Sequence, residues 1–144
     1  MKRIVIISLV ILGFANVLSA DDRPVTYDKL PEAAKTFLST YFNGGKDALL
    51  IAKDDDLVSP DYYVVLNSGV RLQFENNGSL EKIETRNGVL EGIIPVQIIE
   101  VVKAHYPQAV ILEYEVGKRS YEVKLSNGLE LSFNRNFQLV EIDD

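Results

Sequence analysis

The residues best suited to chemistry in this chain are few, and their types and spacing point away from catalysis. His105 is the single histidine, and cysteine is absent. A Cys-His nucleophile and a His-rich metal cluster therefore cannot be assembled. A Ser-His-Asp set is allowed by composition, but no G-x-S-x-G elbow presents a serine. Glu113 and Glu115 flank Tyr114 in a segment with strand character, so they share one face, as paired acid-base carboxylates would. Nothing in their sequence surroundings would perturb them, and they read as solvated surface charges. Asp54-Asp55-Asp56 supplies oxygen ligands of the kind calcium prefers. The alternating D-x-D-x-D-G loop with its distant Glu is missing, however, and the run reads as a solvated hairpin tip. The expectation is a non-enzyme with no catalytic residue, no metal site and no cofactor.

The elements that must position these groups are written twice. Tyr62-x-Val64-x-Leu66-x-x-Gly69-x-x-Leu72-x-Phe74 returns as Tyr121-x-Val123-x-Leu125-x-x-Gly128-x-x-Leu131-x-Phe133, at an offset of 59 positions. Upstream, Leu30-Pro31 and Ile94-Pro95 open helix-like segments at an offset of 64, so the first copy carries about five extra residues. Leu30, Ala33, Ala34, Phe37, Leu38, Tyr41 and Phe42 recur at helical period and make one apolar stripe. Ile94, Ile98, Val101, Val102, His105 and Tyr106 make its counterpart. Pro31 suits the first helical position, and Asn43-Gly44-Gly45 and Pro107 stop the two helices. His105 then stands at the Tyr41 position in a last helical turn, where it packs or caps.

Each helix is followed by four strand signals, at 46–53, 62–66, 70–74 and 80–85 in the first copy and at 108–116, 121–125, 129–133 and 137–142 in the second. Ser68-Gly69, Asn127-Gly128 and Asn76-Asn77-Gly78 mark tight turns between them. Alternation puts Val64, Leu66, Leu72 and Phe74, with Val123, Leu125, Leu131 and Phe133, on an inner face. Arg71, Gln73, Glu75, Glu122, Lys124, Glu130 and Ser132 fall on the other. The predicted fold is α+β: two tandem α-β-β-β-β repeats forming one antiparallel sheet of about eight strands, with two helices packed on one face.

The first twenty residues read as a secretory signal: Lys2 and Arg3, an apolar run from Ile4 to Ala15, then Ser19 and Ala20 where a peptidase could cut after either. The apolar run is shorter than the ~20 residues a membrane span needs. The predicted organisation is a signal peptide over 1–20, a first repeat over 21–86 and a second over 87–144, the repeats sharing one domain. Without Lys2 and Arg3 the chain holds 13 basic against 21 acidic residues, a balance that argues against nucleic acid or an anionic membrane surface as partner; no stable membrane insertion is expected once the signal is removed.

The arrangement LP-x5-FL-x2-YF, then strands, then Y-x-V-x-L-x-x-G-x-x-L-x-F, duplicated behind an export signal, resembles the PepSY-like family. That family is described as β-lactamase-inhibitor-like and is exported to the Gram-negative envelope. The likeness runs from Leu30 to Ile142 and rests on structural positions, among them Phe37, Gly69, Phe74, Gly78, Tyr106-Pro107, Gly128 and Phe133. It implies helix-on-sheet repeats like those of the β-lactamase inhibitory protein, with a periplasmic or secreted location. The aromatic-rich interface of that inhibitor has no counterpart, since Tyr63 is the only aromatic on the equivalent exposed face.

The function expected is an exported, non-enzymatic binding or inhibitor-like module. It would engage an unknown protein partner, such as an envelope enzyme or peptidase, through the exposed sheet face or the hairpin tips. Candidate partner-binding residues are Asp54, Asp55 and Asp56 at an acidic tip, Lys118 and Arg119 at the equivalent basic tip, and Tyr63, Arg71 and Lys124 on the open face. Two alternatives are a structural or self-associating envelope component and a small-ligand carrier.

Overall fold

The computed structural model describes residues 22–144, and the export segment expected at 1–20 lies outside the described residues. The described residues form two compact units, 22–81 and 82–144. Together they hold two helices and nine antiparallel strands in two α-β repeats, an α+β fold. The ninth strand, beyond the eight expected, is β1 (Arg23–Pro24), which pairs with the end of β2. No helix among the described residues is long and apolar enough to cross a membrane.

In the first unit, α1 (Glu32–Tyr41) is followed by β2 (Ala48–Lys53), β3 (Tyr62–Leu66) and β4 (Arg71–Phe74), and β5 (Leu80–Glu84) begins. In the second, α2 (Val96–His105) is followed by β6 (Ile111–Val116), β7 (Ser120–Leu125), β8 (Glu130–Asn134) and β9 (Leu139–Asp143). Pro31 stands one place earlier than expected and, like Pro95, is the cap whose carbonyl accepts the first helical bond, from Ala34 and from Ile98 respectively, both at 3.0 Å. Proline has no N–H to lose at a helix start, so the first turn forms without a side-chain cap.

The duplication holds at the level of register. Tyr62, Val64 and Val65 face Phe74, Leu72 and Arg71, while Tyr121, Val123 and Lys124 face Phe133, Leu131 and Glu130. A bulge falls between Ala48 and Leu50 in β2 and between Ile111 and Glu113 at the matching place in β6. The extra length of the first copy sits mainly in the β2–β3 loop, which runs from 54 to 61 against 117–119 in the second copy. The eight residues expected on the inner face are all buried, none more than 2% exposed. Ala34, Leu38 and Ile98 are the fully buried helix residues. At about 25 cal/mol per Å² of apolar surface, this burial is the term a chain without disulfides must rely on.

The two cores are filled differently. In the first unit Phe37 comes down from α1 onto Phe74, edge-on at 5.5 Å between ring centres, with Tyr41 beside it at 4.9 Å. The second unit has Val101 at the Phe37 position, and its aromatic volume comes instead from the strands and a turn. Tyr121 stacks between Tyr114 at 6.4 Å and Phe137 at 5.0 Å, with the Arg135 guanidinium 4.6 Å from its ring centre. Phe137 is therefore a turn residue with φ +62, and β9 starts two places later than the sequence predicts. Its counterpart at an offset of 59 is Gly78, with φ +90. A phenylalanine pays about 1–2 kcal/mol for that backbone conformation. Stacking contributes about 0.5–1.5 kcal/mol, and burial of the ring adds to it.

Candidate functional site

The β2–β3 hairpin tip is the most exposed apolar feature among the described residues. The Asp54 N–H donates to the Asp61 carbonyl at 3.0 Å and closes the loop. Inside it, Asp54 Oδ1 accepts the Asp56 N–H at 3.1 Å, and Asp56 Oδ1 accepts those of Val58 at 2.9 Å and Ser59 at 3.4 Å. Short acidic side chains commonly stabilise turns in this way. Arg23 reaches Asp55 at 3.2 Å, an exposed pair of small energetic value. The consequence is that Leu57 and Val58 are held outward, 98% and 90% exposed. The sequence points to the three aspartates rather than to the two aliphatic residues they support. The available signal was an apolar pair in the middle of a polar loop that the second copy lacks. In that copy Lys118 and Arg119 stand exposed at the tip, and Arg135 Nη1 donates to the Gly117 carbonyl at 3.3 Å.

On the helix-free face of the first unit, Gln73 bridges two carboxylates, donating to Asp61 Oδ2 at 2.9 Å and Glu81 Oε2 at 2.8 Å. Burial pushes the Asp61 carboxyl up; the Gln73 bond opposes this, and Asp54 and Asp56 reinforce it. Tyr63, half-buried in the same neighbourhood, has its phenol raised by burial and then by Asp54, Asp61, Asp22 and Glu81. Arg71 is corrected from a solvated side chain to a buried one, 9% exposed, in β4 opposite Val65. Leu50, Val65 and Arg71 share one cross-strand row.

The helix-free face of the second unit is ionic. Cross-strand pairing aligns Glu84, Glu113, Lys124, Glu130 and Asp143 in one row, and Lys82, Glu115, Glu122, Ser132 and Glu141 in the next. Lys82 Nζ lies 3.5 Å from Glu84 and 4.0 Å from Glu113, and Lys124 Nζ lies 3.9 Å from Glu113. Glu113 is thus corrected from a solvated charge to a half-buried one between two lysines. Burial and then Glu84 raise its carboxyl, outweighing Lys82 and Lys124. Burial alone would lower the Lys82 ammonium, but Glu84, Glu113 and Glu115 hold it up. Lys124 lies within this network.

A pH test follows from Glu113. Its carboxyl holds the proton more tightly in the folded chain than in the unfolded one, so folding binds the extra proton. Stability therefore falls as pH rises through 4.5 and then through the higher folded value, and stays lowered above it. Glu113→Gln removes that fall. Urea unfolding is expected to show the variant gaining on the natural protein between pH 4 and pH 7, and a gap that shrinks over that interval would refute the assignment.

His105 ends α2 and is exposed, its ring 6.4 Å from that of Tyr106. Among the described residues no group of three or more His, Asp or Glu is placed to hold a metal ion. The Asp54 and Asp56 carboxylates bind their own loop.

A helix opened by proline, two strands in matched register and a bulge at the same place, all present twice, make a tandem scaffold. The family model described as "Putative beta-lactamase-inhibitor-like, PepSY-like" matches the chain twice, over residues 17–82 and 60–141. The chain belongs to the PepSY-like family. It is similar to a protein of Bacteroides thetaiotaomicron described as a "putative calcium-regulated periplasmic protein". That match is at 33% identity with a TM-score of 0.80, covering 86% of this chain and 98% of the other. A "putative periplasmic protein" of Bacteroides vulgatus is 31% identical with a TM-score of 0.80, covering 88% of this chain and 100% of the other. A second protein of that organism, of unknown function, is 28% identical at a TM-score of 0.79 over 85% and 99% of the two chains. No curated protein matches the sequence. These relatives share the PepSY-like scaffold over nearly their whole length, so the β2–β3 tip and the ionic face are features borne on a common frame.

Proposed function

We propose that this PepSY-like protein is an exported, non-enzymatic binding module that grips a protein partner through its β2–β3 hairpin tip. The observation that carries this reading is the outward pair Leu57 and Val58, 98% and 90% exposed on a loop already ordered by its own hydrogen bonds. A pre-ordered tip loses little conformational entropy on docking. Burying both side chains contributes about 1.5–3 kcal/mol each. Asp54, Asp55 and Asp56 form an acidic collar, so the partner offers an apolar pocket with basic groups at its rim. The same collar is repelled by anionic lipid, which favours a protein over a membrane surface. Export is supported by the apolar run at residues 4–15 and by the periplasmic description of the similar structures.

The test is a photo-crosslinking residue placed at position 57 in cells that produce the protein, with Glu100 on the exposed side of α2 as the control site. A discrete adduct at 57, absent at 100 and lost when Asp54, Asp55 and Asp56 are changed to Asn, is expected. Equal labelling at 57 and 100 would remove the tip from the binding surface. Light scattering of the purified protein tests the self-associating alternative, which requires oligomers that grow with concentration.

A further inference from the structure

A second surface stands apart from the hairpin tip. β9 is the last strand in the pairing order, and no strand lies beyond it among the described residues. Its inner side is paired with β8 through Asp143, Ile142, Glu141 and Leu139, leaving Val140 as a bulge. Val140 and Ile142 are 61% and 49% exposed, although Ile142 pairs with Leu131 on the core side of the sheet. On the opposite face Glu141 and Asp143 end the two ionic rows, which hold seven carboxylates and two lysines, Lys82 and Lys124.

We propose that β9 is a docking edge for an extended segment of a partner protein in which Lys or Arg alternates with apolar residues. A strand added beside β9 satisfies its outward backbone groups. Its side chains then fall alternately on the two faces. Those on the ionic face meet Glu141 and Asp143 and are best basic, while those on the core side cover Ile142 and are best apolar. A second copy of the chain is a poor occupant. Antiparallel pairing of two β9 strands about Ile142 sets Glu141 opposite Asp143 in both directions, and like charges directly opposite destabilise a ladder.

The probe is a fluorescein-labelled heptapeptide of alternating lysine and valine, titrated into the purified protein and read by fluorescence anisotropy. Binding is expected with slowed amide hydrogen exchange confined to β9 and the adjoining part of β8. Glu141→Lys with Asp143→Lys should weaken it about tenfold, since each opposed pair changes from attractive to repulsive. Leu57→Asp with Val58→Asp should leave the affinity unchanged, so failure at this edge is distinguishable from failure at the hairpin tip. The inference is overturned if the peptide does not bind or if an alternating glutamate-valine peptide binds as well. It is equally overturned if a version with proline at its centre keeps full affinity, or if the slowed amides lie outside β9 and β8. The exchange measurement uses the natural protein and does not depend on how the lysine variant folds.

Discussion

Phe133→Ala and Phe74→Ala each lower the free energy of unfolding by about 3–5 kcal/mol, read as a shift of the urea midpoint with an unchanged slope. Both rings are fully buried and both sit opposite a tyrosine at the same register, Tyr121 and Tyr62. Truncation removes the transfer energy of the ring and leaves a cavity that a packed sheet face closes only in part. A loss of that size is a large share of the roughly 5–15 kcal/mol that holds a domain folded. The comparison variant is Glu100→Ala on the exposed side of α2, where a change within about 0.5 kcal/mol is expected. If the two phenylalanine variants lose less than about 1 kcal/mol, the shared inner face is not the core of either unit.

The second large effect separates two glycines with nearly the same backbone angle. Gly78 and Gly128 have φ of +90 and +89. A methyl on Gly128 meets nothing within 4 Å, whereas one on Gly78 would lie 2.9 Å from the Ala34 nitrogen and the Pro31 Cβ, and 3.0 Å from the Ala33 Cβ. Gly128→Ala therefore costs only the left-handed backbone penalty, about 1–2 kcal/mol. Gly78→Ala adds an overpacking cost of about 1–3 kcal/mol, because the first turn of α1 is backbone and a stiff proline ring that cannot move aside cheaply. Thermal or urea unfolding of the two variants side by side reads the difference directly. Equal losses would mean that α1 does not rest on the β4–β5 turn. Phe137 at the matching place of the second copy shows that the close approach belongs to the first unit, since that copy accommodates a whole ring there.

Much of the frame was legible because its determinants are local and periodic. The helical stripe of Leu30, Ala34 and Leu38, the alternation through Val64, Leu72 and Phe74, and the glycine-bearing turns each specify an element from a few adjacent residues. Duplication then checked one half against the other. The ends of the elements were less secure: β9 starts at Leu139 rather than Phe137, because a ring stacked on Tyr121 draws Phe137 into the turn.

By itself, then, the sequence determined the α-β repeat, its inner face and its membership in the PepSY-like family, since side-chain period and turn chemistry are properties of neighbours along the chain. The tertiary structure alone decided which polar residues lose solvent and which apolar ones keep it. Glu113 lies between Glu84 and Lys124, brought beside it from two other strands at separations of 29 and 11 residues, and Arg71 is buried opposite its hairpin neighbour Val65. Leu57 and Val58 stay out on a loop that aspartate carboxylates tie to itself.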